Sequence, residues 1–267
     1  MKVFEVIPGH SPVVLAQPHG GVFVPEGIFS RLNARGQGLS DTDWHITRLY
    51  GGLLDGATVV RSNVHRYVVD ANRDPGGMSL YPNQNTTTLC PQTDFDGLDI
   101  WLKGQAPGDD EIAARREAFH LPYHEALRAE LDRVKARHGV AILYDCHSIR
   151  STIPFLFEGV LPVFSIGTND GLTCDQLVEE TVHLECLSEI EYSTVLNGRF
   201  KGGWTTRHYG KPAEGTHAIQ MELAQRAYME EKTPWAYRED RASGLRAVLQ
   251  KILKNLDRLA RSGEFNT

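Results

Sequence analysis

The stretch Ala141-Ile-Leu-Tyr-Asp-Cys-His-Ser148 opens as an apolar run and closes on a carboxylate, a thiol, an imidazole and a hydroxyl. Short continuous apolar runs fit strands buried on both faces. Val140 to Tyr144 therefore reads as an interior strand. In open α/β sheets, ligands bind beyond the carboxyl ends of such strands. Successive strand residues face opposite sides, so Asp145 and His147 share one side and Cys146 turns to the other.

Working outward, short apolar runs alternate with helical patterns. Pro12 to Ala16, Thr58 to Arg61, Tyr67 to Asp70, Phe155 to Phe157 and Pro162 to Ile166 read as strands. Asp43 to Leu54, Thr173 to Ser188 and Arg241 to Leu259 carry helical stripes, and Asp109 to His138 is the longest helical pattern, with a break expected at Pro122. The alternation predicts an α/β fold, a single domain over residues 1–267 with a central mixed, largely parallel sheet flanked by helices. Residues 75–108, rich in Pro, Gly, Asn and Thr, read as a long active-site loop, and residues 262–267 as a tail.

Bulk composition removes several function classes. The net charge of −6 argues against a nucleic-acid partner. No apolar run approaches the roughly 20 residues needed to span a membrane. The start, MKVFEVIPGH, lacks the apolar core of a secretory signal. The cysteines Cys90, Cys146, Cys174 and Cys186 form no CxxC pair, so reduced thiols and a cytoplasmic location are expected.

Four runs deliver polar groups to strand ends: VVLAQPHGG with His19, HRYVVDANRD with Asp70, Asn72 and Arg73, AILYDCHS, and GTHAIQMELAQRAY with His217, Gln220 and Glu222. One His after a strand is usually a satisfied structural residue. Four chemically complementary ends are different, because burying such groups without partners is costly. A metal and an anionic substrate would satisfy them together. His19 and His147 are the imidazole pair for a catalytic zinc, which keeps three protein ligands and an open position. The acidic ligand is open among Asp41, Asp43, Asp70 and Asp145, with Asp43 preferred, Asp41 next, and Asp145 suited to orienting His147 from behind. Manganese, cobalt or iron would also suit such a site. The glycines after His19 are expected to leave room beside its imidazole.

Together, PHGGVFVP, LSDTDWHITRLY, HRYVVDANRDPGG, YDCHSIRS and GGWTTRHYG…GTHAIQMELAQRAYM resemble the N-formylglutamate amidohydrolase family, over roughly Pro12 to Met229. The resemblance implies a fold similar to zinc-dependent exopeptidases, and hydrolysis of a small acidic N-acyl amino acid, N-formyl-L-glutamate, to L-glutamate and formate in histidine breakdown. It assigns metal ligation to His19 and His147, carboxylate binding to Asn72 and Arg73, and the base to Glu222. Carboxypeptidase-like relatives write HxxE; here Val22 stands where that Glu would be, so the acid must come from elsewhere. On this reading Arg66 joins Arg73 at the substrate carboxylates, Arg207 and His208 supply further anion contacts, and Glu222 shuttles the proton. A Cys146 nucleophile conflicts with strand alternation, and Ser148 lacks a GxSxG setting. The alternatives are a zinc amidase for another acyl group and a binding protein for acidic ligands.

Overall fold

The computed structural model describes residues 2–79 and 84–265. Its strands are β1 (Phe4–Ile7), β2 (Val13–Gln17), β3 (Thr58–Ser62), β4 (Ala141–Ile149), β5 (Phe164–Gly167), β6 (Thr194–Leu196) and β7 (Thr216–Ala224). They form one sheet in the order β1-β3-β2-β4-β7-β5-β6. The inner four, β3, β2, β4 and β7, are mutually parallel. β1 joins one edge antiparallel. At the other edge β5 runs antiparallel to β7 and parallel to β6. The parallel centre explains why β4 and β7 are buried along their whole length, because helices cover both faces.

The helices are α1 (Glu26–Phe29), α2 (Ala34–Gln37), α3 (Ile46–Tyr50), α4 (Asp109–Arg115), α5 (Leu121–His138), α6 (Gln176–Ser188), α7 (Trp204–Tyr209) and α8 (Glu239–Ser262). On one face, Ile142, Tyr144 and Cys146 of β4 and Ile219, Met221 and Leu223 of β7 pack against α3, α6 and α8. Leu245, Val248, Leu249, Ile252, Leu253 and Leu256 form the stripe that α8 buries there. On the opposite face, Ala141 and Leu143 meet Tyr123, Leu127, Leu131 and Val134 of α5. Each fully buried Leu of this kind contributes about 1.5–3 kcal/mol.

Several expected elements take another form. Tyr67 to Asp70 is a buried turn, not a strand. The carbonyl of Val68 accepts from Arg115 Nη1 at 3.1 Å and the Asp70 N–H donates to Leu89 at 2.7 Å, so side chain and loop replace a ladder. Phe155 to Phe157 is likewise a turn. The helix expected over 43–54 shortens to α3, because His45 adopts a left-handed φ of 61° before it and Gly52 one of 73° after it. Asp109 to His138 does not break at Pro122. Residues 116–120 form a π turn just ahead of it, which accommodates the missing N–H donor without interrupting the helix. The short edges β1 and β6 were not anticipated. Residues 80–83 of the expected 75–108 loop, and residues 266–267 of the expected tail, lie outside the described residues.

Candidate active site

The carboxyl ends of β2, β4 and β7 open onto one cavity, whose wall includes His19, Asn72, Arg73, His147, Gln220 and Glu222. Register explains the gathering. Asp145 pairs with Gln220 and His147 with Glu222 across β4 and β7, so all four side chains share a face. Their neighbours Tyr144, Cys146, Ile219 and Met221 enter the core on the other side. Burial pushes the Cys146 thiol far above its ordinary value, in keeping with a packing role.

His19, Asp43 and His147 bring their donor atoms within 4.8 Å of one another. The Nδ1 atoms of the two imidazoles stand 3.1 Å apart. Asp43 Oδ2 lies 3.3 Å from His147 Nδ1 and 3.8 Å from His19 Nδ1. The Asp43 N–H donates to the His19 carbonyl at 3.1 Å, and Asp43 Oδ2 accepts from the Ser148 N–H at 3.1 Å. Main chain thus sets the carboxylate, which precedes α3, against both imidazoles. Donors about 2.0–2.1 Å from a tetrahedral cation stand roughly 3.3 Å apart; two separations here, 3.1 and 3.3 Å, match that and the third, 3.8 Å, is wider.

Carboxylates stand behind both rings. His19 Nε2 is 2.7 Å from Asp70 Oδ1, so donation there leaves an Nδ1 lone pair toward His147 and Asp43. His147 Nε2 lies 3.0 Å from Asp145 Oδ1, an ion-pair contact rather than a well-aligned hydrogen bond. The Asn72 Nδ2 is 3.1 Å from the same nitrogen. Asn72 is held in turn by the Thr205 N–H, which donates to its Oδ1 at 2.8 Å. Gly203 permits this approach, since a Cβ there would meet Asn72 Nδ2 at 2.3 Å. The glycines after His19 serve close packing rather than space for the imidazole. A Cβ on Gly21 would stand 2.3 Å from the Asn63 backbone.

Acidic side chains crowd the trio, and Arg73 Nη1 lies 3.7 Å from Asp70 Oδ2. Asp43, Asp70, Asp145 and Glu222 are all buried, and Arg66 is the buried guanidinium among them. Arg66 Nη2 contacts His19 Nδ1, and its guanidinium lies over the Phe95 ring, 4.8 Å from the centroid. Asp70 Oδ2, Asp145 Oδ1 and Arg66 Nε have no hydrogen-bond partner among the described residues. Burial, then Arg66, hold His19 down at about 4, so its ring is a neutral donor near pH 7. His147 behaves oppositely. Burial opposes its charge, but Asp145 and Asp43 outweigh it and raise the imidazole well above its ordinary value, which marks a place where positive charge is favoured. Burial pushes Glu222 up to about 8; His147 opposes the rise and Asp43 adds to it. The donor set therefore fits a divalent transition metal. Replacing Asp70 by Asn should weaken metal retention by about 10–100-fold, because the His19 tautomer loses its anchor. Competition against a calibrated chelator measures it; unchanged affinity would refute the role.

The remaining expected residues divide. Asp41 is outside the trio: its Oδ2 accepts from Tyr67 Oη and the Phe95 N–H, each at 2.8 Å, and burial raises its pKa to about 6. Arg73 lines the cavity and donates to Thr87 through Nε and Nη2, both at 2.9 Å. Arg207 is not in the cavity wall and donates to Gly202 at 2.9 Å. His208 borders a separate groove, stacked on Trp204 and 2.7 Å from Arg128 Nη2. Phe95, Arg199 and Phe200 line the cavity without having been singled out. They sit in loops where no periodicity or motif marks them.

With this geometry in place, likeness to known proteins becomes informative. Residues 11–229 match the model of the N-formylglutamate amidohydrolase family. The chain is 44% identical over 256 residues to the N-formylglutamate deformylase of Pseudomonas putida, covering 96% of each chain. It is 43% identical over 249 residues to the N-formylglutamate deformylase of Pseudomonas aeruginosa, covering 93% of each. The fold matches the crystal structure of N-formylglutamate amidohydrolase from Ralstonia eutropha JMP134 with a TM-score of 0.81, at 24% identity over 98% of this chain and 100% of that one. An Agrobacterium tumefaciens gene product gives a TM-score of 0.73 at 18% identity, over 97% and 96% of the two chains. The protein is thus a hydrolase that acts on an amide bond, built on a mixed α/β sheet. The chain belongs to the N-formylglutamate amidohydrolase family.

Proposed function

We propose that this enzyme hydrolyses N-formyl-L-glutamate to L-glutamate and formate with a bound divalent metal, zinc being the first candidate. The observation that carries the reading is one cavity lined by His19 and His147, the imidazoles of a buried His-Asp-His trio, together with a buried carboxyl and guanidinium groups. The two Pseudomonas relatives, named as N-formylglutamate deformylases, support the choice of acyl group. A place in histidine breakdown rests on the family resemblance of the motifs, and four unbridged buried thiols support a cytoplasmic setting. Delivery of ligands from the ends of parallel strands supports kinship with zinc-dependent exopeptidases.

His19, Asp43 and His147 would hold the cation, which when bound polarises the formyl carbonyl and acidifies water in the site. Glu222 takes a proton from the attacking water and delivers one to the nitrogen as the C–N bond breaks. Burial of this carboxyl opposite His147 raises its affinity for the proton it takes up from the water. Arg66, beside His19, meets the negative charge that develops on the formyl oxygen. Asn72 and Arg73 receive a substrate carboxylate.

The test is formate release from N-formyl-L-glutamate, with N-acetyl- and N-succinyl-L-glutamate run beside it and metal content measured on the same sample. The formyl compound should be turned over well ahead of both others. A larger acyl group processed faster would remove the substrate assignment and favour a broader amidase.

A further inference from the structure

N-Formyl-L-glutamate presents two carboxylates, and the proposed function provides for one. Arg66 is engaged by the trio and its acids, with Nε 3.9 Å from Asp70 and Nη2 3.9 Å from Asp43. Arg73 serves beside Asn72. Among the described residues of the cavity wall, the remaining guanidinium is Arg199. Its surroundings suit the end of a glutamate side chain. Ile149, Leu156 and Phe200 line the same cavity and belong to one apolar cluster, a surface for methylene groups. The Arg199 guanidinium lies over the Phe200 ring, 5.2 Å from the centroid.

Hydrogen bonds hold this cation at the wall. Arg199 Nε donates to the Leu156 carbonyl and Nη2 to the Asn85 carbonyl, both at 2.9 Å. Arg73 donates to Thr87, two residues along the same strap. Two guanidiniums therefore grip one stretch of chain at neighbouring points, both beside the cavity. A guanidinium fixed in this way is pre-organised for a carboxylate, because its ordering is complete before substrate arrives.

We infer that Arg199 is the specificity residue that receives the side-chain carboxylate of the substrate, while Asn72 and Arg73 receive the α-carboxylate. This inference rests on the proposed deformylase function. It assigns the preference for an acidic side chain to a residue outside the strand-end motifs.

The experiment compares kcat/KM for N-formyl-L-glutamate and N-formyl-L-glutamine in the wild type, Arg199→Met and Arg199→Lys. A charge-assisted carboxylate contact is worth about 10- to 100-fold. Arg199→Met should lower the glutamate-to-glutamine ratio by about that factor, chiefly through KM for the acidic substrate, and Arg199→Lys should restore part of it. A merely structural tie to Asn85 and Leu156 predicts a different result: both substrates fall together and the ratio stays put. That outcome overturns the assignment while leaving the deformylase reading intact. Absence of formate from N-formyl-L-glutamate with the wild type overturns the deformylase reading and this assignment together.

Discussion

Glu222→Gln should lower kcat by about 10²–10⁴-fold while the purified protein keeps its metal, because the amide preserves the shape of the side chain and removes its ability to carry a proton. Glu222 is a buried side chain on β7, opposite His147 on one side and Ser165 on the other. Its nearest polar neighbour on the same strand is Gln220, whose Nε2 is 3.4 Å from Oε2. Nothing in that setting needs a carboxylate for folding: burial opposes the charge, and no guanidinium pairs with it within salt-bridge distance among the described residues. A buried acid kept without a structural partner is best accounted for by chemistry. The effect should fall on kcat with KM little changed, because the group acts on the proton and not on the carboxylates. Turnover within about tenfold of the wild type would transfer the proton to another group.

The second large effect concerns the trio. Asp43→Asn should abolish stoichiometric metal binding and reduce formate release to the level of the chelated wild type. Asp43 is the acid that main chain beside both imidazoles orients, through the His19 carbonyl after β2 and the Ser148 N–H of β4. The amide can keep the Ser148 contact, so the fold should persist. Removing the negative charge leaves only two imidazoles as donors, a weak set for a divalent cation. Thermal melts separate ligand loss from misfolding. Metal at about 100 times its dissociation constant stabilises the wild type by about 2.7 kcal/mol, and the variant should show no such shift. A metal-dependent shift retained in Asp43→Asn would assign the acidic ligand elsewhere, and Asp41, two residues earlier, would be the next to test.

Periodicity and residue chemistry carried much of this structure. AILYDCHS reads as a buried strand with a polar end and GTHAIQMELA as polar residues interleaved with apolar ones at a strand end, and both became fully buried parallel neighbours. The two-residue spacing of Asp145 and His147 put both on one face, with the thiol of Cys146 in the core. The loops were less legible. HRYVVDANRD has the composition of a strand, yet Arg115, from a helix 42 residues beyond Arg73, satisfies its backbone and makes a turn the better solution. TTRHYG looks like an anion site, yet Arg207 and His208 stand outside the cavity because α7 directs them elsewhere.

From the amino-acid order alone came the α/β class, the parallel centre, the His19 and His147 pair and the position of Glu222. Each depends on local periodicity or on a strand end, and those are properties of neighbouring residues. The tertiary structure alone decided that Asp43 and not Asp41 meets the imidazoles, that Asp70 and Asp145 stand behind them, and that Arg199 reaches the cavity. These are contacts between residues distant in the chain, fixed by loop paths and packing, and no local pattern encodes a distance across a cavity.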